Sequence, residues 1–231
     1  HVFPPRKSWT QCGKAVPRRA GCGESVEMPF LVDMHMHTTR YSRCSRIDAS
    51  KLIGRAVQAG LDAIVITEHH HQWSKEETEA LVAESGHPGF LVMAAFEYTS
   101  SMGDILIYGV PDKAVKDFTP GWPPEKAARL AQRYGAACVA AHPTRSGMSF
   151  DERIAALPLA ALEIASVNLK PHEQRMARKL AENLKKPMVA CSDAHDLRAV
   201  GQYATAFDGL VLGMKDLQAA LLGGRFQPAW L

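Results

Sequence analysis

Residues 30–37 read FLVDMHMH, a short apolar run that leads into one aspartate and two histidines. The apolar start of this stretch is typical of a buried β-strand. His35 and His37 are two positions apart, so an extended backbone directs both imidazoles to the same side. Imidazoles combined with carboxylates suit Zn, Mn or Fe. A single His-x-His pair is weak support for a metal site, so its meaning depends on the rest of the chain.

The rest of the chain alternates short apolar runs with amphipathic segments. Eight runs predict strands, at residues 30–33, 61–67, 90–97, 104–110, 136–141, 160–164, 187–191 and 203–207. Helices are predicted after Asp48 and Pro123 and over residues 74–84, 150–156, 172–184 and 215–222. A Ser/Gly-rich turn joins the third and fourth runs into a hairpin. This alternation predicts one α/β domain with a mainly parallel sheet, open or closed as a barrel.

Histidines and acidic residues end or follow five of the predicted strands. They are Asp33, His35, His37, Glu68, His69, His70, His71, Glu97, His142, Asp193 and His195. Because the carboxyl ends of parallel strands meet at one face of a barrel, we expect these side chains to share a pocket. The coincidence at five strand ends predicts a metal site there, although a His-x-His pair taken alone is better explained by hydrogen bonds to the backbone.

Length and composition exclude several classes of protein. A chain of 231 residues, 46% hydrophobic and 22% charged, is typical of one globular domain. No apolar run approaches the roughly 20 residues needed to cross a bilayer, so we expect no membrane partner. The five cysteines are odd in number and widely spaced. We therefore expect no disulfide framework and a reducing, cytoplasmic location.

The net charge of +3 resides in residues 1–30, which hold five Lys or Arg and two Asp or Glu. The remaining residues are balanced in charge, so the body does not resemble a surface that coats nucleic acid. Residues 1–29 are predicted to be a basic tail or a non-native leader, with Met28 as the candidate natural start. A partner-binding arm is the less favoured alternative. The single domain is predicted to span residues 30–231.

Several short motifs, taken in order, resemble the polymerase-and-histidinol-phosphatase (PHP) family of phosphoesterases. They are Asp33-Met-His-Met-His37, Tyr41-Ser42, Gly60-Leu-Asp62 leading into Glu68-His69, Glu97, Ala141-His142-Pro143 and Ser192-Asp193-Ala194-His195. The resemblance covers residues 30 to 228. It implies a distorted (β/α)7 barrel that holds two or three divalent metal ions (Zn, Mn or Fe) at the carboxyl ends of its strands, and hydrolysis of phosphate esters.

The same resemblance implies a set of metal ligands. The first metal would take His35, His37, Glu97 and Asp193, the second Glu97, His142 and Asp104, and the third His69 and His195. Asp104 follows Gly103 at a place where the family often has a histidine, and a turn aspartate that caps the hairpin is the alternative there. Glu68 replaces the usual aspartate before His69, either as a ligand or as a residue that orients an imidazole.

Other positions depart from the family pattern. Arg43 and Cys44 stand where the third site commonly has Asp or His, which makes that site weak or absent. His70 replaces a common asparagine, and we interpret it and His71 as rim residues. The candidates for phosphate binding are, in order, Arg145, Arg43 and Arg198, each with a solvated surface arginine as the alternative.

Other loop side chains gave weaker hints. Trp73 and Trp122 are candidates to stack on a base, but single loop tryptophans more often cover a core. Lys170 and His172 fit the cap of the next helix better than the rim of the site.

These residues predict a metal-dependent hydrolase whose metal-activated water attacks a phosphate ester. The substrate is expected to be a small phosphomonoester or a nucleotide phosphodiester. One alternative is an amidohydrolase that cleaves C–N bonds on a similar metal barrel, although no lysine is found at a middle strand end. The other alternative is a non-catalytic, metal-binding accessory module. The oligomeric state is not predicted.

Overall fold

The computed structural model describes residues 28–231. The tail or leader predicted for the N-terminus therefore lies, up to residue 27, outside the described residues. The described chain forms nine strands: β1 Phe30–Asp33, β2 Ala63–His69, β3 Leu91–Thr99, β4 Asp104–Tyr108, β5 Ala137–Ala141, β6 Ala161–Ala165, β7 Met188–Ala190, β8 Tyr203–Phe207 and β9 Phe226–Trp230. Its α-helices are α1 Ala49–Gln58, α2 Lys75–Glu84, α3 Pro124–Arg133, α4 Pro171–Leu184 and α5 Met214–Gly223.

The strands form one sheet in the order β7-β6-β5-β4-β3-β2-β1-β8-β9. The hydroxyl of Thr205 in β8 donates a hydrogen bond to the carbonyl of Ala190 in β7, 3.0 Å away. The two ends of the sheet therefore approach each other, and the sheet is a nearly closed barrel. The predicted α/β barrel is confirmed, whereas the count of seven strands implied by the resemblance is not, because the sheet has nine.

The sheet is mixed: seven of its nine strands run in the same direction, as expected of a mainly parallel sheet, but four of its eight neighbouring pairs are antiparallel. Strands β1 to β3 run parallel, as do β5 to β7, but β4 runs antiparallel to both of its neighbours. Strand β8 pairs antiparallel with both β1 and β9. Reversal at the predicted hairpin brings the first residue of β4, Asp104, opposite Thr99 of β3 and Ala141 of β5. Asp104 thus lies at the same face as the carboxyl ends of the parallel strands.

Local sequence explains where most helices begin and end. The Asp48 side chain accepts a hydrogen bond from the backbone N–H of Ser50 and caps α1. Ser74 and Glu77 form a reciprocal capping box at the start of α2. The helix predicted over residues 150–156 is only a short 3₁₀ helix, Glu152–Ala156. None of the helices between residues 28 and 231 has the length and apolar character to cross a membrane.

Strand β9 was not predicted. It contains Pro228, which cannot donate to a sheet ladder and argues against a central strand. The proline is tolerated because β9 lies at the end of the sheet order, where Pro228 is opposite Thr205 of β8. The strand supplies one wall of the barrel and no residue of the site described below.

Alternation along the strands separates the barrel interior from the helix-covered outside. Met93 and Ala95 of β3 and Ala161 of β6 belong to one interior apolar cluster. The residues two positions further on, Glu97 and Glu163, therefore face the same interior. Two buried carboxylates consequently point toward the barrel axis near the face where the parallel strands end.

Candidate metal centre

Four residues predicted for the first metal converge inside the barrel mouth. The Nε2 atoms of His35 and His37 are 3.2 Å apart. Glu97 Oε2 lies 3.4 Å from His35 Nε2 and 3.2 Å from His37 Nε2. Asp193 Oδ1 lies 3.3 Å and 3.5 Å from the same two nitrogens. All four side chains are buried, so two imidazoles and two carboxylates direct their ligand atoms at one small space.

Glu97 also faces a second group through its other oxygen. Glu97 Oε1 is 3.1 Å from His142 Nε2, and Asp104 Oδ2 is 3.8 Å from the same nitrogen. Asp104 is only 1% exposed, and neither of its carboxylate oxygens has a hydrogen-bond donor within the described chain. A buried carboxylate without a donor costs free energy. The position of Asp104 beside His142 therefore suits an oxygen ligand of a cation, the role predicted for it in the second site.

The third group consists of histidines and is nearer to solvent. His37, His69 and His195 can bring one nitrogen each within 4.8 Å of one another. His69 is 34% exposed, and its Nδ1 lies 3.0 Å from Glu97 Oε2. Arg43 and Cys44 are exposed and do not join this group. Partial shielding of the Cys44 thiol from water, with the nearby charge of Glu97, raises its pKa, which disfavours the thiolate needed for ligation.

The charges of the cluster fit a divalent cation. Burial alone would lower the pKa of His142, but its hydrogen bond to Glu97 and the charge of Glu97 raise it to about 9. For Glu97 the effects have the opposite sign. Burial alone would raise its pKa, but the charge of His35 and the hydrogen bond from His142 hold that pKa well below its usual range. Without a cation, protons on the imidazoles neutralise the buried carboxylates. A divalent ion carries the same positive charge to the same atoms.

Glu68 occupies a polar network beside the three ligand groups. It accepts hydrogen bonds from the hydroxyls of Thr38 and Ser42 and, at 3.1 Å, from Trp73 Nε1. Ser42 Oγ lies 3.4 Å from His37 Nδ1. Glu68 is absent from every group of candidate ligands found among residues 28–231. These contacts favour the orienting role over the ligand role, because both oxygens are already engaged and the network ends on an imidazole.

Trp73 and Trp122 do not form a stacking platform. Trp73 is 3% exposed and packs in the core, with its N–H used by Glu68. Trp122 is partly buried against another core cluster, and the ammonium of Lys126 lies 3.5 Å from the centre of its ring. The interpretation that such tryptophans cover a core is confirmed.

Two further side chains hold the loop that carries Asp193. Asp33 Oδ1 accepts a hydrogen bond from the Ser192 N–H at 2.9 Å, and Oδ2 accepts one from the Gly201 N–H at 3.1 Å. Burial raises the pKa of Asp33 to about 6. The side-chain amide of Asn168 donates to Asp193 Oδ2 at 2.7 Å. Sequence reasoning missed Asn168, because nothing distinguishes it from any other polar loop residue.

Sequence reasoning also missed Glu163 in β6. Its Oε1 lies 3.0 Å from His35 Nδ1, and its Oε2 accepts a hydrogen bond from the His142 N–H at 2.7 Å. The signal was present: one glutamate interrupts the otherwise apolar run Ala-Leu-Glu-Ile-Ala over residues 161–165. A charged residue is rarely fully buried without a partner, so this position indicated a second polar layer.

Backbone strain is concentrated at the site. His70, His142 and Asp193 have φ angles of 54°, 28° and 51°, in the left-handed region that non-glycine residues seldom adopt. Such conformations cost free energy and persist where surrounding contacts hold them. Two of the three residues are candidate ligands, which indicates that tight turns at the strand ends aim these side chains into the barrel mouth.

The three candidate arginines are placed differently. Arg145 is half-buried in the turn that follows His142, and its backbone N–H donates to the His142 carbonyl at 2.9 Å. Its guanidinium forms no ion pair with any described carboxylate, and neither does that of Arg43. Arg198 is 92% exposed and its Nε lies 3.3 Å from Asp196 Oδ1, an arrangement that fits the surface-arginine alternative.

His70 and His71, interpreted as rim residues, contact aromatic side chains, and Lys170 lies at the start of a helix. The His71 ring lies 3.7 Å from the Tyr41 ring, and the His70 ring packs edge-on against Tyr98. Neither histidine belongs to a ligand group within the described chain. Lys170 precedes α4, and its N–H donates to the Glu173 carboxylate at 2.8 Å, which confirms the helix-cap interpretation.

Comparison with known proteins agrees with this architecture. Residues 171–226 match a family model described as PHP-associated, and no curated protein matches the chain. A two-domain protein from Bacteroides vulgatus containing a predicted PHP-like metal-dependent phosphoesterase is 17% identical, with a TM-score of 0.66 over 91% of this chain and 70% of that one.

Two further solved structures also match. The lesion-specific endonuclease PfuEndoQ from Pyrococcus furiosus is 15% identical, with a TM-score of 0.60 over 87% of this chain and 58% of that one. An amidohydrolase from Chromobacterium violaceum, with bound SO4 and no metal, is 14% identical, with a TM-score of 0.56 over 84% and 96%. At these identities the shared feature is the fold. The C-terminal family match and the nearly closed barrel together place this chain among proteins with the PHP-type fold.

Proposed function

We propose that this protein is a metal-dependent phosphoesterase that hydrolyses a phosphate ester. The observation that carries the proposal is the position of Glu97, whose two oxygens face two different groups of buried ligands. One carboxylate between two such groups suits a pair of neighbouring cations. A pair of this kind is typical of enzymes that displace a group at phosphorus.

We assign the ligands from the distances between the candidate side chains together with the resemblance to the PHP family. The first ion would be held by His35, His37, Glu97 and Asp193, the second by Glu97, Asp104 and His142, and a third by His69, His195 and His37. Mixed imidazole and carboxylate donors suit Zn, Mn or Fe. When bound, such ions supply the Lewis acidity that activates water and neutralises charge on phosphoryl oxygens.

Residues of the chain supply binding and orientation. Arg145 leaves the turn after His142 with an unpaired guanidinium, which suits a phosphoryl oxygen. The turn is fixed on both sides of Arg145, because the Thr144 hydroxyl donates to the Glu173 carbonyl and the Ser146 N–H donates to the Glu173 carboxylate. Glu68 and Ser42 orient His37. The partly exposed His69 and His195 mark the side from which a substrate enters.

A substrate panel tests the proposal. Purified protein supplied with Mn or Zn is expected to hydrolyse an aryl phosphomonoester, an aryl phosphodiester or a nucleotide, and to be inhibited by vanadate. An excess of chelator is expected to remove this activity. Absence of hydrolysis across the panel while metal is bound would instead support the accessory-module alternative.

The amidohydrolase alternative has one observation in its favour, the fold shared with the amidohydrolase from Chromobacterium violaceum. Against it, none of the nine strands between residues 30 and 230 contains a lysine that carboxylation could turn into a ligand. An aryl amide in the same panel separates the two reactions. Cleavage of the amide without inhibition by vanadate would overturn the phosphoesterase proposal.

Replacing Arg145 tests how phosphate is bound. We expect R145A to lower kcat/KM for the preferred ester by about 10- to 100-fold, because a charge-assisted contact with the phosphoryl group is lost. R145K should lie between R145A and the parent, since an ammonium keeps the charge but lacks the planar fork. The measurement is steady-state kinetics at saturating metal.

The control for this series is R129A, which removes an exposed arginine of α3 away from the barrel mouth. It should leave kcat/KM unchanged. If R145A keeps the kinetics of the parent as R129A does, Arg145 is a solvated surface residue and the phosphate contact must be sought elsewhere, with Arg43 as the next candidate.

A further inference from the structure

Glu163 is a fully buried carboxylate that reaches across the barrel. It lies in β6, whereas His35 follows β1, and four strands separate β1 from β6 in the sheet order. One carboxylate oxygen lies 3.0 Å from His35 Nδ1. The other accepts a hydrogen bond from the His142 N–H at 2.7 Å. A single side chain thus touches one candidate ligand from each of the first two metal groups.

We propose that Glu163 is a positioning residue that sets both of these groups at once, an inference that rests on the proposed metal site. A carboxylate only accepts hydrogen bonds, so the His35 nitrogen that faces it must carry a proton. The lone pair of His35 then lies on Nε2, the atom directed at Glu97 and Asp193. The contact therefore selects the tautomer and the ring orientation that ligation requires.

The second oxygen acts on the backbone of His142. This residue has a φ of 28°, a conformation that needs support from its surroundings. The bond from its N–H to Glu163 supplies that support and holds the turn in which the imidazole points at Glu97. Because both oxygens are used, the position of one ligand group is coupled to the position of the other.

A purely structural role for Glu163 is the competing explanation, and E163Q separates the two. Glutamine has nearly the same size but only one acceptor. If its oxygen faces the His142 N–H, its NH2 group faces His35 Nδ1 and favours a proton on Nε2, where a ligand needs a lone pair. If the amide is turned round, its NH2 group faces the His142 N–H, so two donors face each other and the His142 N–H loses its acceptor. Either arrangement disturbs a metal ligand without opening a cavity.

The matched control is E173Q. The Glu173 carboxylate also accepts two backbone hydrogen bonds, from Lys170 and Ser146, but it touches no candidate metal ligand. Both variants are compared with the parent by calorimetric titration with Zn or Mn alone and by thermal unfolding. We expect E163Q to bind metal about 10- to 100-fold more weakly, the size typical of losing a residue that orients a ligand. E173Q should lose stability but keep the affinity of the parent.

Equal metal affinity in E163Q and the parent would overturn the inference, whatever happens to the melting temperature. A second measurement does not depend on the variant folding. In the Zn-loaded parent, ¹⁵N spectra of His35 should show Nδ1 protonated and Nε2 bound to metal, and the reverse pattern would also overturn the inference. A parent that binds neither Zn nor Mn would overturn the proposed function as well. Bound metal without hydrolysis would count against the proposed function alone.

Discussion

E97Q is expected to reduce hydrolysis by about 1,000-fold or more and to lower the bound metal content, because Glu97, alone among residues 28–231, lies beside histidines of all three ligand groups. Its Oε2 lies within 3.4 Å of nitrogens of His35, His37 and His69, and its Oε1 lies 3.1 Å from His142. An amide removes the negative charge and one of the two acceptor oxygens. Each loss of about 1.4 kcal/mol of transition-state stabilisation lowers the rate about tenfold, so a loss of several kcal/mol lowers it about 1,000-fold.

The measurements are kcat at saturating Mn or Zn and metal content by elemental analysis. E84Q is the control, because Glu84 is exposed at the end of α2 and belongs to no candidate ligand group of the described residues. It should match the parent in both measurements. If E97Q retained the metal content of the parent and a kcat within tenfold, the central role assigned to Glu97 would be wrong.

The affinity for divalent metal is expected to rise steeply with pH between about 6 and 8. In the metal-free protein the pKa of His142 is raised to about 9 by Glu97, against burial, and that of His35 is raised by Asp193 and Glu163, also against burial. Both imidazoles are therefore protonated at neutral pH and must lose a proton before they can ligate. Each released proton contributes about tenfold in affinity per pH unit.

Stability of the metal-free protein should change in the opposite direction. A histidine with a raised pKa in the folded state stabilises that state fully below its unfolded pKa of about 6.5. That contribution is lost as the pH rises toward about 9. With a chelator present, the free energy of unfolding should therefore fall across this interval, whereas the metal-loaded protein should not show this fall.

Titration calorimetry in buffers of different ionisation enthalpy counts the released protons, and chemical denaturation follows stability. The H142Q variant serves as the comparison, since it removes the group with the pKa near 9 and should release fewer protons. Metal affinity that is independent of pH over this range would contradict the charge arrangement described for the centre.

The sequence was most informative about residues whose environment is local. Strand β1 begins and ends at the predicted residues, because three apolar residues pass directly into a polar motif that begins at Asp33. Helix α1 follows from the Asp48 cap. The candidate ligands at the strand ends were found because histidine and acidic side chains are conspicuous beside apolar runs. The convergence of these ligands follows from the barrel fold, and the alternation of strands and helices was enough to predict that fold.

What the sequence did not reveal depends on pairing between distant elements. The antiparallel pairing of β8 with β1 joins Val32 to Thr205, and no local run of residues specifies which neighbour or direction a strand takes. The contact between His35 and Glu163 spans 128 positions. The sequence allows Glu68 two roles, because only the donors that the fold brings to its carboxylate decide between them. Propensity and spacing describe a segment, whereas these features belong to the closed barrel.

The hydrogen bond from the Ser192 N–H to Asp33 has a consequence for biosynthesis. It joins positions 159 apart, and the candidate ligands themselves extend from His35 to Asp193 and His195. A growing chain therefore contains the first half of the centre long before the second half has left the ribosome. Contacts of such long range form late in folding. The proposed metal centre can therefore assemble only when most of the barrel is in place, so metal would bind after the barrel strands have paired.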